Sequence, residues 1–258
     1  MTDEFRDHFA GAASQYAAYR PRYPAELFAW LASLCVGREM AWDAGTGSGQ
    51  AAVALADHFA RVLATDASQA QLAHAAPHPR IEYRVARAET SGLEPSSADL
   101  VTAATAVHWF DRPRFWDEVQ RVLAPGGVVA VWTYGLLEVT REVDTVIRHL
   151  YAEIVGPYWP FERRLVEQGY RTMAFPFAEI TAPAFAAEAH WTLARLRGYL
   201  GTWSAVLRYR EAKGEDPVEL VAAELERAWG DPALARRARW PLALRVGCRV
   251  PLSPRFVV

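Results

Sequence analysis

The sequence predicts an α/β fold, Rossmann-like and doubly wound, with helices covering both faces of a mostly parallel sheet. Short apolar runs alternate with helix-period stretches from residue 25 to residue 132, the pattern of successive βα units. Gly45, Gly47 and Gly49 follow the first apolar run and open a helical stretch, as at a turn where a parallel strand hands over to a helix. The 258 residues are 52% hydrophobic and 22% charged, enough apolar mass for one large domain or a core with an inserted cap.

The elements follow in order. Leu27, Trp30, Leu31 and Leu34 recur at i, i+3, i+4 and i+7, which predicts a helix over 25–36 with one buried face and Cys35 in the core. An apolar strand then ends at Asp43, a helix spans 50–59, a strand spans 62–65 and a second helix starts at Ser68. Strands over 81–85 and 100–104 precede a helix whose face is Phe115, Val119, Val122 and Leu123. Pro125-Gly126-Gly127 stops that helix, and 128–132 is the fifth strand.

Beyond Tyr134 the alternation weakens. An amphipathic helix runs from Val143 to Ile154, closed by Gly156-Pro157, and another lies near 163–168. A sixth strand is expected over 183–191, then a helical stripe from Leu193 to Leu207 capped by Thr192. Asp216-Pro217 supplies an N-cap and a first helical position for a helix ending at Trp229-Gly230. A last strand over 240–250 brings the sheet to seven. The expected organisation is an N-terminal helical lid over 1–24, a cofactor-binding core over 25–135, and a helical cap with sheet-completing strands over 136–258.

Bulk properties narrow the function. The net charge is −2, and of 28 basic residues only Lys213 is lysine. The densest basic group, Arg236, Arg237 and Arg239, is expected on a solvated helix face, so no nucleic-acid partner is implied. Cys35 and Cys248 lack any metal or disulfide spacing, which implies no metal site. The polar start, Thr2 to Asp7, and the lack of a membrane-length apolar run point to a cytoplasmic protein with no membrane partner.

The chemistry is concentrated in Asp43-Ala44-Gly45-Thr46-Gly47-Ser48-Gly49-Gln50. A dinucleotide fingerprint needs a glycine in the sixth place from Gly45, where Gln50 stands. Asp43 at the mouth of the loop would repel a pyrophosphate and attract a cationic ligand. S-adenosyl-L-methionine carries a sulfonium and an ammonium and no phosphate. Asp66 ends the next strand, where its two oxygens can accept from ribose hydroxyls.

With these motifs in place the chain resembles the class I S-adenosylmethionine-dependent methyltransferases, and within them the methyltransferase type 11 group. Asp43 to Gly49 looks like the first motif, Asp66 the second, Ala88-Glu89 the third, and Arg121 to Gly127 a post-core signature. Residues 16–24, 107–111 and 202–205 are similar to segments of the trans-aconitate methyltransferase-like branch. Thr46 stands where cysteine is frequent. The resemblance implies a cofactor site of Asp43, Gly45, Thr46, Gly47, Gly49, Asp66, Ala67, Ala88, Glu89 and Thr105, with Tyr16 and Arg20 folding over it from the N-terminal segment.

His108, just beyond the fourth strand, is read two ways: a base that deprotonates the acceptor, or part of the cofactor wall. Tyr158, Trp159, Phe161, Trp191 and Trp203 are candidates for an apolar acceptor pocket or for core. The expected activity is methyl transfer to an oxygen, nitrogen or carbon of a small-molecule acceptor, a carboxylate among the candidates, by a monomer or homodimer. Two rivals stay open: an NAD-dependent oxidoreductase and a non-catalytic cofactor-binding protein of the same fold.

Overall fold

The computed structural model describes residue 19 and residues 21–249. Tyr16, Arg20 and most of the expected lid lie outside the described residues. The core alternates as the periodicity predicts: α1 (Ala25–Leu34), β1 (Met40–Ala44), α2 (Gln50–Leu55), β2 (Arg61–Asp66), α3 (Gln69–Leu72), β3 (Ile81–Val85), β4 (Ala98–Ala104), α4 (Arg112–Val122) and β5 (Leu123–Tyr134). The sheet runs β3-β2-β1-β4-β5, each pair parallel. Strand order reverses between β1 and β4, and ligands of open α/β sheets bind outside the carboxyl ends at such a switch point.

The cap begins with α5 (Arg141–His149), which runs into a π-turn over Leu150–Ile154, followed by a short turn over Gly156–Tyr158 and α6 (Arg163–Glu167). Then come β6 (Ala178–Ile180), β7 (Ala186–Trp191), α7 (Leu193–Gly201), α8 (Ser204–Lys213), α9 (Pro217–Leu220), α10 (Ala222–Trp229) and β8 (Arg236–Cys248). Thr192 and Asp216 cap as expected, accepting from the backbone N–H groups of Arg195 and Val218.

The tail of the sheet differs from expectation. β8 inserts antiparallel between β5 and β6, while its first half pairs with β7, giving eight strands of which seven form the ordered path. The short segment Ala178–Ile180 supplies the strand that joins the path, and β7 is an offshoot. The arginine cluster opens β8 and is not helical. Arg237 pairs with Glu188 across the β7–β8 ladder, Arg239 with Glu138 at 2.8 Å, and Arg236 donates to the Trp229 carbonyl. Cross-strand carboxylates decided between two periodicities that a three-arginine run satisfies equally well.

Three apolar clusters hold the fold. α1 and α2 cover one sheet face through Leu27, Phe28, Leu31, Ala52 and Leu55, with Phe28 edge-on to Trp132 of β5 at 6.1 Å. α4 covers the other face through Phe115, Val119 and Val122. The third cluster is the cap's own, centred on Trp191, Leu196, Tyr199, Trp229 and Trp240. Fully burying such side chains stabilises the fold by about 1.5–3 kcal/mol each, and the cluster includes Tyr134 of β5 and Ala238 and Trp240 of β8, so the cap packs onto the sheet. Cys35 falls just outside α1, half-buried, its thiol donating to the Leu31 carbonyl at 3.4 Å. Burial, reinforced by the nearby Asp99 charge, pushes that thiol up to about 12. Asp99 accepts from the N–H groups of Glu39 and Met40 and so ties β4 to the start of β1.

Candidate active site

The carboxyl ends of the five parallel strands deliver their following loops onto one cavity of about 740 Å³. That volume lies within the roughly 300–1,000 Å³ typical of small-molecule sites. Gly45, Thr46 and Gly47 enter from β1, Asp66 and Ala67 from β2, Ala88 and Glu89 from β3, Thr105 and His108 from β4. Eight expected residues and His108, from four loops and separated by up to 63 positions, thus meet in one space.

The glycine loop has the shape its sequence requires. Gly45, Gly47 and Gly49 all have positive φ, and Gly49 begins α2 from the left-handed region. At Gly45 (φ +66°) a Cβ would stand 2.6 Å from the Ala106 Cβ and 2.9 Å from the Phe110 ring. Gly45→Ala is therefore expected to cost about 1–3 kcal/mol and to weaken cofactor binding together with stability. An unchanged melting temperature and affinity would show that the loop tolerates another conformation.

Asp43 is placed differently from the sequence expectation. It is 0% exposed and does not line the cavity. Its Oδ2 accepts from Thr46 Oγ1 at 2.6 Å and its Oδ1 from Thr102 Oγ1 at 2.7 Å. The side chain holds the loop down on β4 from below, and burial raises its carboxyl to about 6 against the pull of both hydroxyls. Thr46, in the position where cysteine is frequent, thus has a definite task here. Gly49 also sits off the cavity wall, its missing Cβ making way for the Tyr83 hydroxyl.

Asp66 faces the cavity. Its Oδ2 accepts from the Gly47 N–H at 2.8 Å and its Oδ1 from the Ser68 N–H at 2.9 Å. Each carboxylate oxygen has a second lone pair, so the group retains acceptor capacity for a diol. Glu89 accepts from the Asp111 N–H at 2.9 Å and lies 3.7 Å from Arg87. Thr105 has φ +55°, uncommon for a non-glycine residue, and its hydroxyl lies 3.2 Å from that of Tyr23. Strained backbone of this kind clusters at ligand sites, and Thr105 lines this one.

His108 is 7% exposed, with Nδ1 2.8 Å from the Tyr170 hydroxyl. Burial, then the charges of Arg163 and Arg112, lower its pKa to about 3, so the imidazole is neutral at physiological pH. Trp159 and Trp203 of the cap line the same cavity, whereas Tyr158, Phe161 and Trp191 do not. Tyr158 packs edge-on against Tyr209, Trp191 joins the cap core, and Phe161 is 74% exposed. Tyr23, Gln71, Phe110 and Arg163 also line the site. Tyr23 and Phe110 fall within the segments 16–24 and 107–111 that the resemblance marked, without being singled out there, whereas no sequence motif marks Gln71 or Arg163. Among the described residues no group of three His, Cys, Asp or Glu side chains could hold a metal, and no helix is long and apolar enough to cross a membrane.

The residues present fit S-adenosylmethionine. The loop offers a turn free of Cβ atoms, Asp66 offers a diol acceptor, and the Gly47 N–H that a pyrophosphate would need already donates to Asp66.

Comparison with known proteins agrees. Residues 42–131 match the methyltransferase domain model of the type 11 group. A Dictyostelium discoideum protein named as a methyltransferase is 32% identical over 230 residues, covering 88% of each chain. A solved structure from Anaeromyxobacter dehalogenans, named as a type II methyltransferase, is 48% identical with a TM-score of 0.86, covering 91% of this chain and 100% of that one. A Saccharomyces cerevisiae protein named for S-adenosylmethionine-dependent methyl transfer is 30% identical over 131 residues, 47% of this chain and 45% of its own. With 88% of its length shared with one such relative and its glycine loop inside the matched domain, the chain belongs to the S-adenosylmethionine-dependent methyltransferases.

Proposed function

We propose that this protein methylates a small-molecule acceptor held between the carboxyl edge of the sheet and the cap, using the cavity residues of the glycine loop, Asp66, Ala67, Ala88, Glu89 and Thr105 to hold the cofactor. The observation that carries this reading is the single cavity on which all five strand-end loops converge beside an aromatic cap wall. When bound, S-adenosylmethionine supplies a methyl group on a cationic sulfur, which leaves as a neutral thioether. The chain's own tasks are then alignment and exclusion of water. Asp66 accepts from the ribose hydroxyls, Glu89 and Ala88 border the adenine, and Trp109, Trp159 and Trp203 keep the acceptor side dry.

Segments 107–111 and 202–205 support membership of the trans-aconitate methyltransferase-like branch, since both contribute to the same wall. The near-neutral charge supports a small acceptor over a nucleic acid, and a composition with only two cysteines, both free, supports a cytoplasmic enzyme. Titration calorimetry with S-adenosylhomocysteine and with NAD tests the cofactor assignment. Binding of NAD alone would overturn it.

His108 belongs to the wall. A ring whose conjugate acid has a pKa of about 3 accepts a proton poorly at neutral pH. His108→Ala is expected to lower kcat by less than about tenfold, below the 10²–10⁴ that acid–base catalysis contributes. The same variant should leave the pH–rate profile without any lost inflection near 6.5. A fall beyond about 100-fold at unchanged cofactor affinity would restore the base.

A further inference from the structure

Of the two described arginines that line the cavity, Arg87 lies 3.7 Å from a Glu89 carboxylate oxygen, and several arginines elsewhere are paired as well. Arg121, Arg197, Arg210, Arg237, Arg239 and Arg245 each reach a carboxylate. Arg163, at the start of α6, is placed otherwise. Its Nε donates to the Tyr151 hydroxyl at 2.9 Å, and that hydroxyl donates to Glu167 at 2.6 Å. Its guanidinium carbon stands 4.6 Å from the centre of the Trp159 ring. Among the described residues no carboxylate comes within 4.0 Å of its nitrogens, although Glu162 lines the same cavity. The guanidinium is therefore oriented at one edge by a tyrosine, supported on one face by an indole, and left with two terminal nitrogens for a ligand.

Its surroundings are apolar and planar. Trp159 and Trp203 lie 5.7 Å apart and Trp203 and Tyr199 6.0 Å, with Trp203 and Tyr199 nearly buried, and all three line the cavity. Arg163 lies near enough to His108 for its charge to act on that ring. The acceptor end thus carries a fixed positive charge, while Asp66 and Glu89 stand at the cofactor end.

We infer that Arg163 is the acceptor's anchor: the preferred acceptor is a flat, apolar, typically aromatic molecule bearing a carboxylate, which the terminal nitrogens of Arg163 grip while Trp159, Trp203 and Tyr199 enclose the body. Guanidinium and carboxylate match in bidentate geometry, and an arginine packed on indole loses little freedom on binding. The carboxylate is the handle, because lone pairs committed to N–H donors are poor nucleophiles. The methylated atom lies elsewhere on the acceptor. This assignment rests on the methyltransferase reading of the cavity.

The test is calorimetric titration of the full chain, saturated with S-adenosylhomocysteine, with trans-cinnamate, benzoate and indole-3-carboxylate, each against its neutral amide, and with phenethylamine as the cationic counterpart. At least one acid is expected to bind at least about tenfold tighter than its amide, the worth of a charge-assisted hydrogen-bonded pair. Arg163→Met should bring acid and amide within about twofold of each other, and Arg163→Lys should keep part of the preference as a point charge. Saturation with S-adenosylhomocysteine and the melting temperature of each variant are read beforehand. Failure of wild type to bind S-adenosylhomocysteine would remove the methyltransferase reading. Normal cofactor binding with no acid preferred over its amide, no acid bound at all, phenethylamine bound tightest, or a preference that survives Arg163→Met would overturn the anchor alone.

Discussion

Replacing Asp66 with alanine is expected to weaken S-adenosylhomocysteine binding by at least about 100-fold, or about 2.7 kcal/mol. The two carboxylate oxygens accept from Gly47 and Ser68 N–H groups and so set the glycine loop against the loop after β2. In the proposed site the same oxygens would accept from the cofactor's diol, and hydrogen bonds to a charged group contribute about 1.5–3 kcal/mol each. Loss of both functions at once makes this the largest single effect on binding. Asp66→Asn keeps one acceptor oxygen and should fall between alanine and wild type. Because Asp66 is partly exposed, stability should change little beside affinity. Calorimetry checks the order; an affinity loss below about threefold in Asp66→Ala would remove Asp66 from the cofactor site.

Asp43 should make stability depend on pH in the direction opposite to an ordinary salt-bridged carboxylate. Burial, outweighing its two hydroxyl partners, raises it from 3.8 to about 6 in the folded chain. The folded state therefore holds this proton more tightly than the unfolded state does. Its stabilising contribution is fully present below about pH 4 and is lost as pH rises through 6, by about 3 kcal/mol at 1.36 kcal/mol per unit. His108 acts with the opposite sign: its folded pKa is depressed to about 3, so the unfolded chain takes up that proton first and stability falls as pH drops below 6.5. Comparing wild type with Asp43→Asn cancels the histidine. Urea unfolding at pH 4.5 and 7.5 should show the difference between the two proteins shifting toward the variant by about 2–3 kcal/mol at the higher pH. A difference independent of pH would mean that Asp43 is ionised throughout.

Much of the core was legible in the chain, because short-range patterns report short-range physics. The period of apolar residues marked α1 through β5, and glycine at 45, 47 and 49 marked a turn that only positive φ satisfies. Helix caps at Thr192 and Asp216 are local chemistry and were readable as such. Where two periods fitted one segment, as at Arg236 to Trp240, the partner strand decided, and Glu188 lies 49 positions from Arg237.

The amino-acid sequence by itself determined the doubly wound core, the cofactor class, and the set of strand-end residues that meet at the carboxyl edge. Only the tertiary structure decided which of those residues face the cavity. Asp43 and Asp66 both follow apolar strand residues, yet one is sealed by Thr46 and Thr102 beneath the loop and the other opens to the cavity. That difference arises from packing against β4, which no spacing along the chain encodes. Arg163 is likewise ordinary in sequence and distinctive in place, since its position on the cavity wall, held by Tyr151 and stacked on Trp159, is a property of everything folded around it.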